Sequence, residues 1–129
     1  MATKDILRVM VVDDHVTSRM VIVDGLSALG IRHVEVAGDG KEAFAKMVSA
    51  PVHLLISDLY MPGVDGIQLI KAVRAHPQIK KMGAILVTGR KEEKVVRLAK
   101  EFGVNNVLAK PFTGDGLRLA IESVVGRLN

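Results

Sequence analysis

Five short aliphatic runs, each followed by a stretch with helical spacing, leave this chain few folds to choose from. The runs are Arg8–Val12, His33–Ala37 and residues 53–57, 84–87 and 107–109. The first helical stretch keeps Val16, Met20, Val23, Leu26 and Ser27 on one apolar or small face and stops at Gly30. Asp39 and Glu42 have the spacing of a capping box, opening a helix with Ala43, Phe44, Met47 and Val48 that Pro51 closes. Asp65 caps a third helix, with Ile67, Ile70 and Val73 on one face and Pro77 marking its end. The fourth turns Val95, Leu98, Ala99 and Phe102 inward and ends at Gly103. Thr113 caps the fifth, where Leu117, Ile121, Val124 and Leu128 repeat. Strict alternation implies right-handed crossovers, hence a parallel sheet covered on both sides. The expected fold is α/β: a doubly wound five-stranded parallel sheet with five helices on both faces. Of two competing strand orders, 2-1-3-4-5 is favoured, which sets strands 1 and 3 side by side.

The chain's 129 residues suffice for one domain with a core and are too few for two. There is no cysteine, which excludes disulfides and thiolate metal sites. No apolar run approaches a membrane span and the start lacks a signal-peptide core, so cytoplasmic residence without membrane insertion is expected. The net charge of +4 invites a nucleic-acid reading. The basic residues are dispersed, however, and aromatics make up only 3%, too few to stack bases. A solvated basic face is the expectation, with no nucleic-acid partner.

Four of the five strands end in polar groups that converge on one rim. Asp13-Asp14 follow the first, Asp58 the third, Thr88 the fourth and Lys110 the fifth. In open α/β sheets ligands gather outside the carboxyl ends of the strands. Each residue has an ordinary structural role available: Asp14 as a helix cap, Thr88 in a turn, Lys110 as a surface ammonium. Together they form a chemical set. Three neighbouring carboxylates repel, and a divalent cation removes the conflict. Mg²⁺ takes hard oxygen ligands and seldom more than two carboxylates, whereas zinc would call for Cys or paired His motifs that are absent here. With the Lys110 charge and the Thr88 hydroxyl, these are the parts needed to stabilise phosphoryl transfer to a carboxylate.

On these motifs, with Met61-Pro62 and Asp65-Gly66 behind Asp58 and Lys110-Pro111-Phe112 after strand 5, the whole chain resembles the receiver domain of two-component response regulators. It is most similar to the single-domain chemotaxis type, one receiver domain over residues 1–129 with no output domain and a flavodoxin-like fold. The resemblance implies Asp58 as phosphoacceptor from the phosphohistidine of a sensor histidine kinase. It implies Mg²⁺ bound directly by Asp14, Asp58 and the Tyr60 backbone carbonyl, and by Asp13 through water. Thr88 and Lys110 would hold the phosphoryl oxygens, assisted by the N–H groups of Tyr60 and Gly89. The Lys110-Pro111 bond is typically cis in the family. The output face would be the helix after strand 4, strand 5 and the last helix, on a monomer. The chemistry would be self-catalysed transfer and autodephosphorylation, not conventional enzyme turnover.

Val107 departs from that pattern, because chemotaxis-type receivers carry Tyr or Phe three residues before the lysine. Tyr60 and Arg90 flank the expected line of water attack and by resemblance tune phosphate lifetime. His15 lies beside the acidic pair, either within reach of the metal shell or simply in solvent. Lys91, Lys94, Arg97 and Lys100 make a basic stripe that would steer an acidic partner segment, or is a solvated face. Alternative functions are a phosphate sink competing for a shared kinase and, further off, an aspartate-nucleophile phosphatase. The phosphatase class carries a second Asp two residues after its nucleophile, where this chain has His15 or Val16.

Overall fold

The computed structural model describes all residues, 1–129, as a five-stranded parallel sheet in the order β2-β1-β3-β4-β5. The strands are β1 (Arg8–Val12), β2 (His33–Ala37), β3 (Leu54–Asp58), β4 (Gly83–Thr88) and β5 (Asn106–Ala109). Six helices accompany them: α1 (Thr3–Ile6), α2 (Val16–Ala28), α3 (Gly40–Ser49), α4 (Gly66–Ala75), α5 (Glu93–Glu101) and α6 (Gly114–Val125). No helix is long and apolar enough to cross a membrane.

The near-continuous apolar strands follow from burial on both faces, since successive side chains point to opposite sides of a sheet. Met10, Val12, Leu55, Leu86 and Val107 pack with Met47, Ile70, Val73 and Ala99 from α3, α4 and α5. Val9, Val11, Ile56, Ile85 and Val87 pack on the other side with Ile22, Leu26, Leu117 and Ile121 from α2 and α6. Each fully buried aliphatic side chain is worth roughly 1.5–3 kcal/mol, and the two layers fix the register that sets the strand ends level.

Several expectations are corrected. The chain has a sixth helix, α1, a single turn whose Lys4 N–H donates to the Leu128 carbonyl at 2.9 Å. Leu128 itself lies beyond the end of α6 and is buried against this segment rather than on a helical stripe. In α2 the buried residues are Ile22 and Leu26, while Val16 and Met20 are exposed. Leu26 is buried and Val23 packs against the same core, as expected, but apolar side chains surround that helix, so spacing alone added Val16 and Met20 and passed over Ile22. Leu98 of α5 is 42% exposed, because Val95, Val96 and Ala99 make the contact with the core instead. Phe102 is only half-buried, with the Lys71 ammonium 5.3 Å from its ring centroid. The cap at Asp39 is one-sided: its carboxylate accepts from Glu42 N–H at 2.7 Å, but Glu42 reaches Gly38 N–H. Asp65 and Gln68 form the reciprocal box.

At the amino-terminal pole of the sheet, Arg74 of α4 ties together the segments that lead into β4 and β5. Its guanidinium donates to the carbonyls of Gly103 (Nη2, 2.9 Å), Lys80 (Nη1, 2.8 Å) and Met82, and to Asn105 Oδ1 (3.0 Å). Burial lowers its pKa, yet carbonyl acceptors satisfy the charge without any carboxylate. At about 1 kcal/mol net per hydrogen bond, this side chain clamps the approach to β4 and the end of α5.

Candidate functional site

β1 and β3 are neighbours, with Val12 opposite Ser57, so the residues that follow emerge side by side. β4 sets Val87 opposite Asp58, and β5 sets Ala109 opposite Thr88, bringing Thr88 and Lys110 to the same rim. The Lys110 N–H donates to the Thr88 carbonyl at 2.8 Å, and the Lys110-Pro111 peptide is cis.

Lys110 is the centre of the arrangement. Its ammonium donates to Asp58 Oδ1 at 3.1 Å, to Ser18 Oγ at 2.8 Å and, more loosely, to Asp13 Oδ2 at 3.5 Å. An ammonium has three donors, and all three are used. Asp13 is fully buried; its Oδ1 accepts from His15 N–H at 2.9 Å and its carbonyl from Arg19 Nη1 at 2.8 Å. Asp58 is 7% exposed, and burial pushes its carboxyl above the usual range despite the opposing pull of the Lys110 hydrogen bond and charge. The negative charge on Asp13 adds to the rise.

Asp14 faces outward into an open cleft of about 430 Å³ that it shares with His15, Tyr60 and Asp65. Its Oδ1 is buried without a hydrogen-bond partner, although His15 Nδ1 stands 3.3 Å away. An orphaned carboxylate oxygen beside a second buried carboxylate is what a hard divalent cation would satisfy. The donor set therefore fits Mg²⁺, and Asp13, Asp14 and His15 offer ligand atoms within 4.8 Å of one another.

Thr88 is fully buried, and its Oγ1 accepts from Arg90 N–H at 3.1 Å, leaving the hydroxyl proton available. Tyr60 and Arg90 are exposed on their loops. Val107 is not at the rim; it lies within the core opposite Leu86. The Lys91, Lys94, Arg97 and Lys100 stripe is exposed. Ser18 was not foreseen. It stands four residues before buried Ile22 on the inward face of α2, and that spacing was the available signal.

A doubly wound sheet with an acidic switch point places the protein in the flavodoxin-like class. The model of the response regulator receiver domain matches residues 9–122. The chain belongs to that family, the receivers of two-component systems. It is 43% identical to the probable chemotaxis protein CheY of Rhizobium etli over 99% of both chains. It is 34% identical to the chemotaxis protein CheY of Pseudomonas aeruginosa over 95% of this chain and 99% of that one. The structure of the Vibrio cholerae chemotaxis protein CheY4 matches with a TM-score of 0.85 at 32% identity, covering 92% of this chain and 98% of the other.

Proposed function

We propose that this chain accepts a phosphoryl group onto Asp58 from the phosphohistidine of a sensor histidine kinase, in chemotaxis-type signalling. The observation that carries the reading is the Lys110 ammonium, 3.1 Å from Asp58 Oδ1, on the rim that also holds Asp13, Asp14 and Thr88. An Asp58 oxygen attacks phosphorus, the donor's N–P bond breaks, and its electron pair returns to the imidazole. Lys110 meets the charge gathering on the phosphoryl oxygens, and the Thr88 hydroxyl donates to them, as do the N–H groups of Tyr60 and Gly89. Asp14, Asp58 and the Tyr60 carbonyl would hold Mg²⁺, with Asp13 acting through water. When bound, that ion offsets the carboxylates' repulsion and withdraws charge from the phosphoryl group. The names of the chemotaxis relatives support the pathway. The test is transfer of labelled phosphate from a purified kinase to this chain, with the label sensitive to hydroxylamine and blocked by chelator. A chain that stays unlabelled by every chemotaxis-type kinase of its own cell defeats the proposal.

Buried Val107 favours a second reading, a phosphate sink with limited output. Val is small and stiff at χ1, so no ring swings between states at this position. Thr88 moving toward phosphate would carry the Gly89-Arg90 loop with it. In backbone NMR of the Mg²⁺ form, adding beryllofluoride should shift the loops after β3 and β4 and the start of α5. Weak responses are expected along β5 and α6. Large shifts centred on Val107 and α6 would overturn this expectation.

A further inference from the structure

We propose that His15 is a side-chain ligand to the divalent cation at Asp14, and that its imidazole makes the site prefer first-row transition ions such as Co²⁺ and Ni²⁺ to Mg²⁺. The inference rests on the reading of the acidic rim as a cation site. His15 occupies the N-cap position of α2, yet its side chain makes no capping hydrogen bond. Its backbone is held in place by the N–H donated to Asp13 Oδ1, while the side chain is 74% exposed and lies along the cleft. No structural task therefore occupies the ring.

The donor spacing is that of a coordination shell. His15 Nδ1 stands 3.3 Å from Asp14 Oδ1 and 3.8 Å from Asp13 Oδ1. Two adjacent ligands at right angles on bonds of about 2.1 Å are separated by about 3.0 Å. Asp14 Oδ1 is the orphaned oxygen, and the nearby ring nitrogen does not hydrogen-bond to it. A cation between them would satisfy both lone pairs at once, with little movement of an exposed ring. Mg²⁺ gains little from an imidazole, since it prefers oxygen and retains its waters. Co²⁺ and Ni²⁺ gain more, because affinity for nitrogen donors rises along the first-row series.

The test is calorimetric titration of the full chain with MgCl₂, CoCl₂ and NiCl₂, comparing wild type, His15→Ala and Asp14→Asn, each checked for an unchanged circular dichroism spectrum. His33, His53 and His76 are common to all three, so their background binding cancels. His15→Ala should weaken Co²⁺ and Ni²⁺ binding by about tenfold or more while leaving Mg²⁺ within about twofold. Asp14→Asn should weaken all three ions. In proton NMR of the Co²⁺-loaded wild type, an exchangeable imidazole N–H signal shifted by the paramagnetic ion should appear and be missing in His15→Ala. Equal Co²⁺ and Ni²⁺ affinities with and without the imidazole, while Mg²⁺ still binds, would overturn the role of His15 alone. So would Co²⁺ binding that ignores Asp14→Asn. Wild type that binds no Mg²⁺ would instead overturn the reading of the rim on which the proposal stands.

Discussion

Asp58→Asn should abolish hydroxylamine-sensitive labelling and, without metal, melt at a higher temperature than wild type near neutral pH. The first half follows from losing the attacking oxygen, since an amide keeps the shape and not the nucleophile. The second follows from electrostatics. Burial raises the Asp58 carboxyl above its ordinary value, so the folded protein holds this proton more tightly than the unfolded chain does. Folding stability from this group is therefore greatest when it is protonated. It falls as pH rises from the unfolded value of about 3.9 through the higher folded one. Asparagine never ionises, so the gap between the melting curves should be small near about pH 4 and widen toward about pH 8, in chelator. Lys110 retains Ser18 and Asp13 in the variant and does not become an isolated charge. Mg²⁺ at about a hundred times its Kd adds about 2.7 kcal/mol to wild type and should narrow the gap. Label retained by the variant, or a gap that shrinks with rising pH in chelator, would contradict this account.

Gly66→Ala is expected to destabilise the fold by about 3 kcal/mol, although helix propensity alone favours alanine by about 1 kcal/mol. Gly66 is buried at the start of α4, and its N–H donates to the Leu59 carbonyl at 2.9 Å. A Cβ there would collide with the Asp58 backbone carbonyl and come within 2.7 Å of Leu86 Cδ2. The backbone oxygen cannot swing aside as a flexible side-chain tip would, and it already accepts from Ser57 Oγ. The end of β3 must therefore move, taking Asp58 away from Lys110. Phosphoryl transfer should slow along with the loss of stability. Gly114→Ala is the control, because a Cβ at that exposed first turn of α6 meets nothing within 4 Å. Urea unfolding should show the two substitutions with opposite signs. Equal, mild stabilisation by both would refute the steric account.

The strand ends were legible because two independent patterns agreed on them. Each apolar run was short, four of the five stopped at a charged or hydroxyl residue, and the alternation with helices fixed which ends share a rim. Asp58, Thr88 and Lys110 lie where that reasoning put them. Helix faces were harder to read. α2 is apolar on several sides, so Val16 and Met20 joined the truly buried Leu26 on a helical spacing as readily as Ile22 does. Only the docking of α2 against the sheet separates them. Leu98 was misplaced for a related reason: the spacing offered more inward positions than the contact with the core could accept. The turn at Thr3–Ile6 has no periodicity to detect and is held by a contact with Leu128, more than a hundred residues away in sequence. Ser18 was hidden by its type. A serine early in a helix suggests a cap or a solvated hydroxyl, and nothing local announces that an ammonium from the far end of the chain will reach it.

The bond from Lys4 to Leu128 makes the polypeptide almost a closed ring. The closure lies at the pole where β1 begins and α6 ends, away from the acidic rim. A dye, an affinity handle or a surface tether fixed at either end would leave the rim facing solution. A short peptide bridging the two ends would also span little distance, so the order of the elements could be rotated by reopening the ring at an exposed loop. The geometry of the rim depends on which strands lie side by side, and not on where along the ring the chain begins.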